Sequence, residues 1–157
     1  MGDRSNINII QSKLDGTNPL YLGVSAYNHH GGIMAQMNAL RAIAHGLVRL
    51  NDPSYGTKTI IGHFLKGQME DETGGGVHPF AHEKLTSAYT EEEDNEHGYL
   101  VIDFVNEEIV LYDYEGRTGP GRKDKQKFMF STEGAKGAWH RLRDHLSDYD
   151  RDYVTPL

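Results

Sequence analysis

Residues 5–32 read Ser5-Asn6-Ile7-Asn8-Ile9-Ile10-Gln11-Ser12, Lys13-Leu14-Asp15-Gly16-Thr17-Asn18-Pro19, and then Leu20-Tyr21-Leu22-Gly23-Val24-Ser25-Ala26-Tyr27-Asn28-His29-His30-Gly31-Gly32. In 5–12, Ile7 and Ile9 alternate with Asn6 and Asn8, the two-residue period of a strand. Leu22, Val24 and Ala26 repeat that period in 20–27. Between them Asp15-Gly16 and Asn18-Pro19 supply turn chemistry, so the stretch predicts an antiparallel hairpin with a long loop. Past Gly32 the period changes. Ile33, Met37, Leu40, Ala44 and Leu47 fall on one helical stripe, which predicts a helix running to about Leu50.

The rest of the chain extends the same alternation of elements. Asp52-Pro53 has the form of an N-cap followed by proline at the first helical position, and Ile60, Ile61, Phe64, Leu65 and Met69 give that helix its apolar face. Residues 70–98 are polar, Gly-rich and acidic. They are expected to form a long loop with one short element near 79–85. Residues 99–114 alternate strongly and turn at Asn106-Glu107, a second hairpin. Residues 117–127 form a basic Gly/Pro linker, 128–131 an edge strand, and 134–149 a final helix with Ala138, Leu142, Leu146 and Tyr149 on one stripe. The expected fold is α+β, a mainly antiparallel sheet of about five strands with about three helices on one face. The expected organisation is a core over 1–116, the linker 117–127, and a C-terminal strand and helix over 128–157 packed on that core.

Composition narrows the chemistry. The chain has 157 residues, enough for one domain with its own core, and no cysteine, which excludes disulfides, zinc-thiolate sites and thiol catalysis. Lys and Arg number 16 against 23 Asp and Glu, a net charge of −7 that argues against general binding of nucleic acid through phosphates. The first twenty residues hold no apolar run suited to a signal peptide, and no later stretch is apolar for long enough to span a bilayer. The expectation is a cytoplasmic protein that does not enter the membrane. A protein partner and self-association both stay open, and the residues do not decide whether a cofactor is used.

Five motifs carry a resemblance: Met1-Gly2-Asp3-Arg4, His29-His30-Gly31-Gly32, the 49–55 segment Arg49-Leu50-Asn51-Asp52-Pro53-Ser54-Tyr55, Glu72-Thr73-Gly74-Gly75-Gly76, and Asp94-Asn95-Glu96-His97. Together they resemble a family of small uncharacterised proteins of bacteria and their phages, over most of the chain up to about Gly116. His30 and Leu50 stand where that family usually has tryptophan. The resemblance implies a bacterial or phage setting, hence a host cytoplasm if phage-encoded, and implies no reaction.

The hairpin makes a geometric statement about these motifs. If 5–12 pairs with 20–27, Asp3 and Arg4 lie beside Asn28, His29 and His30, where the helix also starts at Gly31-Gly32. Helix N-termini favour anions, Arg4 offers a planar fork for phosphate or carboxylate, and a histidine can donate or shuttle a proton. The expected ligand is a small anion, a phosphate or nucleotide, held by Asp3, Arg4, Asn28, His29, His30, Gly31 and Gly32. Thr73, Gly74 and Gly75 would serve as a lid or an amide nest. His29 and His97 are the acid–base candidates, oriented by Asp3 or Asp94, although a turn cap is the commoner use of Asp94.

No metal site is expected. His78 and His82 are four residues apart and are the weak candidates, but Pro79 between them favours a chance pair in a solvated loop. His45 and His63 read as spectators and His140 and His145 as surface residues. Spacing does not separate binding from hydrolysis. A counter-defence role in a phage would need only affinity, and an acidic interaction module without small-molecule chemistry is the competing expectation.

Overall fold

The computed structural model describes residues 3–66, 75–91, 97–114 and 125–157. Among the described residues six strands, β1 (Ser5–Leu14), β2 (Leu20–Asn28), β3 (Gly75–His82), β4 (Tyr99–Asp103), β5 (Glu108–Tyr112) and β6 (Lys125–Met129), form one sheet in the order β3-β2-β1-β4-β5-β6. The helices are α1 (Gly32–Ala44), α2 (Pro53–Phe64), α3 (Leu85–Tyr89), α4 (Thr132–Arg143) and α5 (Asp148–Asp152). The class is α+β. The sheet has one strand more than expected and is mixed, because β1 and β4 run parallel while every other pair is antiparallel.

The expected hairpin forms, with Ser5 opposite Asn28 and Ile9 opposite Val24, and its strands run slightly longer than the alternation suggested. β1 is central, so both of its edges are paired, and its first six residues are buried on both faces. Ile7 and Ile9 join the larger core with α1, α2 and α4, including Leu40, Ile43, Phe64, Trp139 and Leu142. Ile10 faces a second, smaller core with Phe80, Ala88, Tyr89, Val101 and Tyr112. Helices therefore do not lie on one face only: α3 closes the second face. Asn8 lies under it and donates from Nδ2 to the Tyr89 carbonyl at 2.6 Å.

Several element ends differ from expectation for local reasons. α1 stops at Ala44, well short of Leu50, because Gly46 takes φ +75° and the amides of Gly46 and Leu47 turn back to the carbonyls of Ile43 and Ala42. That is a Schellman stop, and it leaves Leu47 exposed rather than on the buried stripe. Asp52 does cap α2, accepting from the Tyr55 amide at 3.1 Å. The long loop expected over 70–98 instead contains β3 and α3. Pro79 is tolerated in β3 because that strand lies at the sheet edge. The second hairpin turns where expected, with Glu107 at φ +54° and buried Asp103 accepting from the amides of Val105 and Asn106. Lys125 to Lys127, expected in a linker, belong to β6; the rest of 117–127 lies outside the described residues. The final helix is broken in two. α4 begins at the Ser131 cap and ends at Arg143, and Tyr149, expected on its buried stripe, is exposed on α5.

Candidate functional site

One end of the sheet collects the described residues of four of the five motifs; the 49–55 segment lies at the other end, near Phe104, which follows β4. β1, β3 and β4 start there and β2 ends there, since β1 is antiparallel to β2, β2 to β3, and parallel to β4. Asp3 precedes β1, His29 and His30 follow β2, Gly75 opens β3 opposite Asn28, and His97 precedes β4. Thr73, Gly74 and Asp94 lie outside the described residues.

At this end a cleft of about 510 Å³ is lined by Asp3, His30, Gly31, Ile33, His97 and His145, with Ser147 and Asp150 at the start of α5. Asp3 and His97, 94 residues apart in sequence, meet in a contact of 2.5 Å between Oδ1 and Nε2. The carboxylate accepts from Nε2–H, which orients the imidazole. Asp3 itself is fixed by backbone. The Gly32 amide donates to the Asp3 carbonyl at 2.7 Å, and Gly32 sits at φ +54°. The left-handed φ favours glycine there, and a Cβ on Gly32 would lie 2.1 Å from Asp3 Oδ2 and would displace that carboxylate.

The expected ligand residues divide. Asp3, His30, Gly31 and His97 line the cleft. Arg4 does not line it; continued back one residue, the alternation of β1 would put Arg4 on the face of Asn6 and Asn8, opposite to Asp3. His29 also turns away, to a contact of 2.5 Å between its Nδ1 and the Tyr27 hydroxyl. Asn28 is buried and committed, donating to the Phe64 carbonyl at 2.7 Å and accepting from the Gly31 amide at 2.6 Å and the His30 amide at 3.1 Å. The amides of Gly31 and Gly32, expected to face an anion, are therefore already bonded to Asn28 and Asp3. Their role is to make the bend.

Two residues of this region escaped the sequence reading. His145, expected on the surface of the last helix, lies past the end of α4, where the chain bends into the cleft wall. Gln36 is fully buried on α1 among the apolar residues. A signal existed for it, since position 36 falls three after Ile33 and four before Leu40, inside the stripe.

A second cluster lies on the other face. His78 and His82, expected in a solvated loop, stand on β3 and approach the two oxygens of Glu91 at 3.1 and 2.5 Å. Burial raises the Glu91 pKa, but the hydrogen bonds from His82 and His78 outweigh it and hold the carboxyl below its usual range. Among the described residues, no group of three or more His, Asp or Glu side chains is placed to hold a metal ion. None of the described helices is long and apolar enough to cross a membrane. No known protein family, curated protein or solved structure matches the chain.

Proposed function

We propose that the cleft at the sheet end binds a small phosphorylated or nucleotide-like ligand, with Asp3 and His97 as its acid–base couple. The observation that carries this is the Asp3–His97 contact at 2.5 Å on the wall of a cleft of about 510 Å³, a volume in the usual range of small-molecule sites. A carboxylate that orients an imidazole prepares it to take a proton from water or a hydroxyl and return it. His30 and His145 add imidazoles that can donate to a phosphate. The lining carries two carboxylates, Asp3 and Asp150, so the imidazoles of His30 and His145 are the groups that would meet the ligand's anionic part. Binding alone would suffice for a phage-borne factor that sequesters a signalling nucleotide.

Calorimetric titration of the full chain with inorganic phosphate, a nucleoside monophosphate and a nucleoside triphosphate tests the reading. At least one should bind, and Asp3→Asn and His97→Gln should each weaken it about tenfold, about 1.4 kcal/mol. Release of inorganic phosphate from the bound probe would make the protein a hydrolase; binding without release would make it a sequestering protein.

A second reading has its own observation. Tyr149 on α5 and Tyr153 just past its end are 70% and 69% exposed, with ring centroids 4.9 Å apart beside Asp148 and Asp152. An aromatic and acidic surface of that kind suits an interaction module. If none of the three probes binds, the cleft reading is wrong and this one takes its place.

A further inference from the structure

We propose that Gln36 is a positioning residue: its side-chain amide sets the spacing between Asp3 and His97. The inference takes its functional meaning from the cleft reading above, but its test does not involve ligand. Gln36 is fully buried, and its polar atoms are all engaged. Nε2 donates to the carbonyls of Asn6 and Gly98, both at 3.0 Å, and Oε1 accepts from the Tyr114 hydroxyl at 2.6 Å.

The location of these bonds is informative. The β1–β4 ladder begins at the pair Ile7 and Leu100. Asn6 and Gly98 lie just before it, so the Gln36 amide acts as an extra rung joining the two strands where their own pairing has stopped. Asp3 is three residues upstream of Asn6, and His97 immediately precedes Gly98. Tyr114 completes the brace: a Cβ on Gly98 would lie 2.5 Å from its ring, so the ring packs directly on that glycine. His145, a lining residue of the cleft, sits with its ring centroid 5.4 Å from that of Tyr114. An apolar side chain at position 36 would suit the stripe of α1 without any polar group to satisfy. What it would not do is hold two backbone carbonyls together.

The readout is the hydrogen-bonded Nε2–H proton of His97, observed by NMR in the full chain with histidines labelled with nitrogen-15 and assigned by its loss in Asp3→Asn. Gln36→Met keeps the volume and removes the bonds. It should speed exchange of that proton with water by about tenfold or abolish the signal. Leu40→Ala, a cavity variant on the same helix, serves as a stability control and should leave the proton unchanged. Should Gln36→Met fail to fold, Tyr114→Phe, which keeps the ring against Gly98, should accelerate the same exchange. An unchanged proton in the folded position-36 variant, or in Tyr114→Phe, overturns the proposal, as does an equal acceleration in Leu40→Ala. Loss of ligand binding with this proton intact sinks the cleft reading alone. No Asp3-dependent proton in the unsubstituted protein removes the pair itself.

Discussion

Tyr89 shows how far a single buried polar group can set the behaviour of the molecule. Its ring is fully buried on the second face of the sheet, and its hydroxyl has no hydrogen-bond partner among the described residues. Burial, followed by the carboxylates of Asp103 and Glu108, pushes its pKa up to about 12 from an ordinary 10.0. Below pH 10 both folded and unfolded chains keep the proton. Between pH 10 and 12 the unfolded chain releases it while the folded chain retains it, so this residue removes stability as pH rises, at about 1.4 kcal/mol per pH unit. Tyr89→Phe should abolish that alkaline slope in urea unfolding curves. At neutral pH it should be neutral or stabilising by about 1 kcal/mol, because it removes an unsatisfied buried hydroxyl. A loss of more than about 1 kcal/mol at pH 7 would mean that the hydroxyl has a partner.

Elements were legible where one local cue was enough. The β1–β2 hairpin follows from the isoleucine and asparagine alternation, and α2 starts where Asp52-Pro53 places it. β3 was not legible, because Pro79, glycines and histidines carry no alternation; pairing along β2 makes it a strand, an influence from outside the segment. The end of α1 was misread for the opposite reason. Leu47 continues the stripe, yet Gly46 at φ +75° ends the helix first. Gly46→Ala therefore tests the stop. Nothing lies within 4 Å of the added Cβ, so any loss comes from the left-handed backbone alone, about 1 kcal/mol. A shift of the unfolding midpoint under that size, with unchanged m-value, would show that the chain can leave α1 by another route. The motif residues that meet in the cleft were half legible. Asp3 beside His30 follows from the hairpin register, whereas His97 beside Asp3 needs the parallel β1–β4 pair, which no local pattern encodes.

At the scale of the whole molecule, the parallel pair at the centre of the sheet is what makes the cleft. β1 and β4 start side by side, so a residue before the first strand and a residue before the fourth meet at one end. An all-antiparallel order placing β4's end there instead would have carried His97 to the far side. The same arrangement predicts how stability is distributed. β4 and the first six residues of β1 are buried on both faces, with Ile7, Ile9, Leu100, Val101 and Ile102 all fully buried, while β3 and β6 are edges whose residues are mostly exposed. Native-state hydrogen exchange should therefore place the amides of β1 and β4 in the most protected group, opening only with global unfolding. Amides of β3 should open sub-globally, with β2 intermediate, because β3 is held by one neighbour and by the clamp of His78 and His82 on Glu91. Glu91 is ionised below its usual range, and stability from its charge is present at neutral pH and falls as pH drops through that lowered pKa. Acid should then increase β3 exchange before β1 exchange, after correction for the intrinsic rates. Glu91→Gln should produce the same selective loss at neutral pH, about 1 kcal/mol at β3 and none at β1. Equal loosening of both strands would mean that the edge and the centre open as one unit, and that the clamp holds the whole sheet rather than its margin.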